Sequence, residues 1–267
     1  MKQLEYNDAW PDSWKISYSY DLLEQRKVSS NLGYSYAYQE RHQRTLAVVE
    51  RLLTPKSKIL DVAAGQGNFT LALAEKGYDL TWNDLRAELV DFVKLKYEKG
   101  AVGFKPGDIF SLEYENHFDL ILATEIIEHT AHPDRFLSKL SKMLIKDGHL
   151  IITTPNLQYF RYNLPRFSDC LNPAQYESKQ FKPNADGHIF LFDVPEIKLL
   201  AHRVGLSVIE SDVFANSLTC GHTKLGKVLP LIPYTVVKLT EQFSNCMPSF
   251  IGNRLHSAML VVLKKVV

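Results

Sequence analysis

Hydrophobic positions along the chain follow two spacings that alternate. Short apolar runs bounded by small or polar residues, typical of buried parallel strands, occur at 58–63, 79–84, 118–123 and 149–154. Between these runs, apolar side chains recur every three or four residues, as at Leu89, Phe92 and Val93, and this spacing predicts helices. Strands that alternate with helices of this length predict βαβ units and an α/β fold with a parallel sheet.

Capping and breaking residues set the predicted ends of the helices. The first clear helix starts at His42 and is ended by Pro55. The helix after Pro133 is predicted to end at Asp147-Gly148, directly before the run at 149–154.

We predict a single domain over residues 1–267. Its parts are an N-terminal arm at 1–41, a cofactor-binding core at 42–213, a lid at 156–187, an insertion at 214–256 and a last strand at 257–263. The arm is rich in aromatic rings that would not stay in water. The lid is a long loop without periodicity, and such loops are usually functional. Residues 228–243 are amphipathic, so they can rest on a membrane surface, join the core or form a homodimer contact.

Composition narrows the class of protein without identifying it. The chain of 267 residues is 45% hydrophobic and 23% charged, as in globular proteins. The formal net charge is +1, so no overall positive field favours nucleic acid as a partner. The three cysteines form no CxxC pair, and the first residues contain no apolar signal sequence. We therefore expect a reducing, cytoplasmic location and no transmembrane segment.

A turn with two glycines follows the first predicted strand, in Asp61-Val62-Ala63-Ala64-Gly65-Gln66-Gly67. Glycine lets a ligand approach the backbone, and the N-terminus of the next helix offers unpaired N–H groups. Ligands of open parallel sheets bind outside the carboxyl ends of the strands. The dinucleotide pattern Gly-x-Gly-x-x-Gly needs glycine at position 70, but the chain has Thr70, which disfavours a nicotinamide cofactor.

Two acidic residues follow the next strands. Asp84 ends the second predicted strand, where its carboxylate can accept hydrogen bonds from both hydroxyls of a ribose. Asp108 is predicted to end the third strand, where it can accept a hydrogen bond from the amino group of adenine. The same acids can also serve only as helix caps, but their positions at successive strand ends favour a cofactor that contains adenosine.

These motifs, together with the strand 118–123, resemble the S-adenosylmethionine-dependent methyltransferases of the Rossmann-like class I, over about residues 42–213. The resemblance implies a seven-stranded, mostly parallel sheet with helices on both faces and an antiparallel last strand. The cofactor-binding residues that it implies are Asp61, Gly65 and Gly67 at the methionine part, Asp84 at the ribose, and Asp108 and Ile109 at the adenine, with Ala63, Asn83, Leu85 and Ala123 beside them. Alanines at 63 and 64 stand where the family often has glycine or cysteine.

A cluster of acids and histidine, Glu125-Ile126-Ile127-Glu128-His129, follows the fourth predicted strand. In a helical turn Glu125 shares a face with Glu128 or His129, and His188 is a further candidate after the lid. These residues can hold a divalent cation, or they can be solvated side chains with His129 capping the turn. The pattern is similar to ubiquinone-biosynthesis O-methyltransferases and to small-RNA 3′-terminal 2′-O-methyltransferases, both associated with a metal here. It also occurs in bacterial methyltransferases of uncertain substrate.

The resemblance implies methyl transfer by in-line displacement, for which positioning of the acceptor is the main task. A Mg²⁺ or Mn²⁺ ion held by Glu125, Glu128, His129 and His188 would lower the pKa of a bound hydroxyl. Without a metal, His129 or His188 can act as the general base. His132, at a helix start, is expected to be structural.

The expected function is O-methylation of a small-molecule or glycan hydroxyl. The arm, the lid and the insertion should form the acceptor wall, and their aromatic and arginine residues suit a ring-bearing, sugar-like or anionic acceptor. Two alternatives share the fold: a nicotinamide-dependent oxidoreductase and a non-catalytic module that binds adenosine nucleotides.

Overall fold

In the computed structural model, residues 1–26, 31–180, 187–222 and 228–266 are described. Residues 181–186 of the predicted lid and 223–227 of the predicted insertion lie outside them. The strands are β1 (Lys58–Val62), β2 (Asp79–Asn83), β3 (Ala101–Phe104), β4 (Phe118–Thr124), β5 (Leu144–Pro155), β6 (Leu206–Asn216) and β7 (His256–Lys265). The helices are α1 (Asp12–Arg26), α2 (Leu32–Leu52), α3 (Asn68–Glu75), α4 (Leu89–Lys96), α5 (Pro133–Met143), α6 (Val194–Arg203), α7 (Tyr234–Asn245) and α8 (Ser249–Leu255).

The strands form one seven-stranded sheet in the order β3-β2-β1-β4-β5-β7-β6. β1 pairs in parallel with β2 and β4, whereas β7 runs antiparallel to both of its neighbours, β5 and β6. The predicted Rossmann-like sheet with an antiparallel last strand is therefore confirmed. The strand order reverses beside β1, and in open α/β sheets the crevice at such a switch point binds the ligand.

Alternate residues of the central strands pack against helices on opposite faces of the sheet. Leu60 of β1 is buried in one cluster with Leu140 of α5, and its neighbour Ile59 is buried in another with Val49 of α2 and Leu73 of α3. Burial of both faces explains why the central strands are continuous apolar runs.

Three predicted boundaries were wrong. α2 begins at Leu32, ten residues before His42, because the side chain of Asn31 caps it by accepting a hydrogen bond from the N–H of Tyr34. α5 ends at Met143 rather than at Asp147, because Leu144 already pairs with Phe118 in the sheet. β3 ends at Phe104, four residues before Asp108, and this moves that acid off the strand end.

The N-terminal arm packs on the outside of α4. Trp10 and Trp14 contact Phe92, with ring centroids 5.9 and 5.8 Å apart, and Tyr18 contacts Trp10. The aromatic rings of the arm are thus packed against α4 instead of lying in solvent, as their number in the sequence predicts.

α7 and α8 lie between β6 and β7 in the chain. α7 turns Val237, Glu241 and Ser244 inward. None of the helices in the described part of the chain is long and apolar enough to cross a membrane.

Candidate active site

The turn after β1 adopts a backbone that favours glycine. Ala63, Gly65 and Gly67 have φ values of +54°, +53° and +74°, and Gly67 is the N-terminal cap of α3. A Cβ atom at Gly67 would lie 2.8 Å from Cγ1 of Val93, so glycine is required there by both conformation and space. The turn brings backbone N–H groups to the carboxyl end of the sheet, where an anionic or polar ligand can bind.

Asp84 follows β2 directly and joins that strand end to the glycine turn. Its Oδ2 accepts a hydrogen bond of 2.8 Å from the N–H of Gly65. Its Oδ1 accepts bonds from the backbone N–H and the Nε of Arg86, at 2.9 and 3.0 Å. Asp84 is buried at the predicted ribose position and still borders the cavity described next.

A small cavity of about 30 Å³ lies on one side of the end of β1. Its lining consists of Val62, Ala63, Asn83, Asp84, Leu85, Gly107, Asp108, Ile109, Ile126 and Phe136. Asp108 reaches this cavity from a loop and caps the short 3₁₀ helix Ile109–Ser111 by accepting the N–H of Phe110. The predicted adenine-side residues are therefore brought together, and the sequence analysis missed Ile126 and Phe136.

A larger cavity of about 340 Å³ lies on the other side of Ala63, which lines both. Its lining consists of Tyr20, Glu24, Tyr34, Tyr38, Arg41, Ala63, Ala64, Gly65, Gln66, Asn68, Phe69, Arg86, Thr124 and Glu125. The first five come from α1 and α2 and were missed; the aromatic content of the arm was the one signal for them. Ala123 lies in the buried core of β4, and the next residue, Thr124, faces this cavity.

Tyr38 and Arg41 line the larger cavity, and each has a buried polar atom, Oη and Nε, without a hydrogen-bond partner among the described residues. A third such atom is Oδ1 of Asp61, on β1 two residues before Ala63. The Oδ2 of Asp61 accepts a bond of 2.6 Å from Thr70, and burial raises the pKa of this carboxyl to about 7. An unpaired carboxylate oxygen and an unpaired guanidinium nitrogen suit a ligand that carries both an ammonium and a carboxylate group.

Glu125 faces the larger cavity and not the neighbouring acid Glu128. Its backbone has a φ of +51° and the 3₁₀ turn begins only at Ile127, so the expected shared helical face does not form. One carboxylate oxygen lies 3.0 Å from Nη1 of Arg41, and the other accepts a hydrogen bond of 3.0 Å from Thr153. Glu125 therefore positions Arg41.

Glu128, His129 and His188 form a compact cluster in which their candidate ligand atoms all lie within 4.8 Å of one another. The chain after the lid reaches the cluster because the carbonyl oxygen of Glu128 accepts a hydrogen bond of 2.7 Å from the N–H of Ile189. Oε2 of Glu128 accepts a bond from Thr154, whereas Oε1 is buried without a partner. Burial and the charge of Glu125 raise the pKa of Glu128 well above its usual range.

His132 stands apart from this cluster. It precedes α5 and its Nε2 lies 2.7 Å from a carboxylate oxygen of Glu177, an arrangement that fits the structural role expected for it.

A buried polar network attaches α1 to the glycine turn. The ammonium of Lys96 donates to both oxygens of Asp21 at 2.8 and 2.7 Å, to the carbonyl of Gln66 and to Oδ1 of Asn68. Asn68 and Gln66 both donate to Glu24 at 2.7 Å. Because Glu24 also lines the larger cavity, the network fixes one wall of the site.

The strand order, the glycine turn and the acid after β2 define a Rossmann-like, class I S-adenosylmethionine-dependent methyltransferase. A family model described as a methyltransferase domain matches residues 34–211, more than half of the chain. The chain belongs to this methyltransferase-domain family.

A curated relative is the ubiquinone biosynthesis O-methyltransferase of Coxiella burnetii (strain Dugway 5J108-111). It is 30% identical over 121 residues, which are 44% of this chain and 52% of that protein. The chain thus spans about half the length of the curated relatives that it matches.

Solved structures share the fold at low identity. Magnesium protoporphyrin IX methyltransferase of Synechocystis PCC 6803, with bound S-adenosylhomocysteine, has a TM-score of 0.57 at 13% identity and covers 95% of this chain and 93% of that one. The 4+2 cyclase SpnF has a TM-score of 0.56 at 16% identity and covers 96% of each chain. Because one neighbour is described as a cyclase, the reaction has to be argued from the site.

Proposed function

We propose that this protein transfers a methyl group from S-adenosylmethionine to a hydroxyl group of a small-molecule or glycan acceptor. The observation that carries the proposal is the pair of cavities that share Ala63, with Asp84 beside them at the end of β2. The smaller, apolar cavity suits adenine, and Asp84 suits the ribose hydroxyls. The larger cavity suits the methionine part and the acceptor.

One charged group in the larger cavity and one on β1 beside it match the ends of the methionine part. Arg41 is held by Glu125 at 3.0 Å and can bind the carboxylate through its remaining N–H groups. Asp61, at the edge of the glycine turn, can attract the ammonium through its unpaired Oδ1. Together these two residues would orient the sulfonium methyl group toward the acceptor, and such positioning is the main contribution of an enzyme to in-line transfer.

The cluster of Glu128, His129 and His188 fits a divalent cation such as Mg²⁺ or Mn²⁺. One candidate ligand atom from each residue lies within 4.8 Å of the other two, and Oε1 of Glu128 is buried without a partner among the described residues. A bound cation would lower the pKa of an acceptor hydroxyl. Without a cation, His129 or His188 would take the proton as a general base.

Other features of the chain bear on the kind of acceptor and on the place of action. Five side chains of α1 and α2 line the larger cavity, three of them tyrosines, and they suit a ring-bearing or sugar-like molecule. The low net charge favours such a molecule over nucleic acid as the acceptor. The three cysteines are unpaired, which is compatible with action in a reducing cytoplasm.

Calorimetry with S-adenosylhomocysteine and with NAD tests the cofactor, and we expect binding of the first alone. Incubation with S-adenosylmethionine bearing a CD₃ group and a panel of catechols, vicinal diols and glycans then tests the reaction by mass spectrometry. A CD₃ ether in the product supports the proposal. Tight binding of NAD alone, or label found only on nitrogen or carbon, contradicts it.

A further inference from the structure

The outer face of α7 is apolar although its inner face is already packed. Val236, Leu239 and Phe243 are 46%, 63% and 70% exposed, and their spacing places them on one side of the helix. The side that carries Val237 and Ser244 is buried against the protein. An amphipathic surface helix normally shows polar residues to solvent, so this second apolar face needs an explanation.

Neighbouring segments add to this face. Leu231, just before α7, is 81% exposed, and Phe250 of α8 is 73% exposed. We define the α7–α8 face as Leu231, Val236, Leu239, Phe243 and Phe250.

The charged residues of this part of the sequence are almost all cationic. Residues 214–256 contain four lysines and arginines, and their one acid is Glu241. Glu241 is buried, and its oxygens accept hydrogen bonds from the N–H groups of Ala215 and Asn216. The charged side chains that α7 and α8 expose are Lys238 and Arg254, both cationic.

We propose that the α7–α8 face docks on the surface of an anionic lipid bilayer. Exposed leucine and phenylalanine side chains enter the boundary between headgroups and acyl chains, while Lys238 and Arg254 meet lipid phosphates. A two-fold contact with a second copy would instead place these cations against the same cationic patch of the partner, which is unfavourable. Charge complementarity therefore favours lipid over a dimer.

Helix α8 is also connected to the end of β5, where Thr154 donates a hydrogen bond to Glu128. The carbonyl of Arg254 accepts a hydrogen bond of 3.2 Å from the N–H of Phe160. The side chain of Asn156 donates to the carbonyl of Asn253 at 2.7 Å, and Asn156 directly follows β5. Docking would therefore place the bilayer near the chain that follows β5, which includes Asn156 and Phe160.

Vesicle flotation tests this docking, with phosphatidylglycerol vesicles as the anionic surface and phosphatidylcholine vesicles as the neutral one. We expect the protein to float with the anionic vesicles and to be released by high salt. Leu239→Glu and Phe243→Glu should each weaken binding roughly tenfold or more, and Lys238→Glu about fivefold or more. The matched control is Leu199→Glu on α6, where the leucine is 47% exposed and binding should not change.

Three results would overturn the docking proposal. The first is no flotation with anionic vesicles, and the second is an equal loss in the Leu199→Glu control. The third is a dimer, seen by analytical ultracentrifugation, that Leu239→Glu converts to a monomer without any vesicle binding. Calorimetry with S-adenosylhomocysteine on every variant keeps the methyltransferase proposal separate, because the cofactor cavities do not include the α7–α8 face.

Discussion

The carboxylate of Asp84 accepts a hydrogen bond of 2.8 Å from the N–H of Gly65, 19 residues earlier in the chain. This bond fixes the glycine turn against the end of β2, so the same side chain both shapes the turn and lines the smaller cavity, where we propose that it binds the ribose. Arg86 holds the other carboxylate oxygen and completes the arrangement. These bonds within the protein hold the turn and the carboxylate in one arrangement, and a rigid arrangement reduces the entropy lost on binding.

Asp84→Ala should weaken binding of S-adenosylhomocysteine roughly 100-fold or more, because each hydrogen bond to a charged group contributes about 1.5–3 kcal/mol. Asp84→Asn keeps the shape and can still accept the N–H of Gly65, so we expect a smaller loss. Calorimetry gives both affinities, and circular dichroism checks that the variants fold. Wild-type affinity in Asp84→Ala would remove the ribose role.

The local part of this site could be predicted from the sequence, because Asp84 and the glycine turn directly follow recognisable strands. Glu125 lies outside the compact cluster of Glu128, His129 and His188, because its positive φ breaks the helical spacing on which its predicted place among the metal ligands depended. Arg41 could not be found, because it reaches Glu125 only after α2 packs on the sheet. Contacts between residues distant in sequence set this half of the site, and periodicity does not encode them.

Arg41→Ala should weaken binding of S-adenosylhomocysteine about tenfold or more, since a charge-assisted pair with the carboxylate is lost. The control ligand is 5′-methylthioadenosine, which lacks the amino-acid part. The wild type and Arg41→Ala should bind it with the same affinity. Calorimetry with both ligands separates a lost contact from a damaged site. An equal loss for the two ligands would show that Arg41 maintains the structure instead of binding the carboxylate.

The raised pKa of Asp61 makes cofactor binding dependent on pH. In the ligand-free protein this carboxyl is protonated below about 7, and a neutral carboxyl does not attract an ammonium group. Affinity for S-adenosylhomocysteine should therefore rise with pH, by up to about tenfold per pH unit below that pKa, and level off above it.

Asp61→Asn is the control for this titration, because its side chain has the same size and carries no titrating proton. The affinity of Asp61→Asn for S-adenosylhomocysteine should be lower than that of the wild type at pH 8. It should not rise with pH near pH 7. The stability of the ligand-free protein has the opposite trend: a folded-state pKa raised above 3.8 means that stability falls as pH increases toward about 7. A pH profile identical in the two proteins would assign the dependence to another group.

Metal binding distinguishes Glu128 from Glu125. We expect wild-type protein with bound S-adenosylhomocysteine to take up one Mn²⁺ ion, and Glu128→Gln to lose it, because Glu128 lies with both histidines. Glu125→Gln should keep the ion, because Glu125 pairs with Arg41. Titration calorimetry and metal analysis measure this. Without uptake by the wild type, the histidines would act as general bases and activity would survive chelation.

Lys96 should be the residue that contributes most to holding α1 against the glycine turn. Its side chain is 3% exposed and its ammonium donates to Asp21 and Asn68, so Lys96→Met leaves a largely buried carboxylate without its cation. We expect the free energy of unfolding to fall by about 3–5 kcal/mol, measured by urea denaturation.

Lys94→Met is the control on the same helix, because the side chain of Lys94 is 56% exposed and pairs with an exposed Asp91. A surface substitution of this kind should change stability by no more than about 0.5 kcal/mol. Asp21→Asn in the Lys96→Met background should recover part of the loss, since it removes the uncompensated charge. If Lys94→Met and Lys96→Met were equally stable, the network would not hold α1, and the wall formed by Glu24 would depend on the aromatic contacts of the arm.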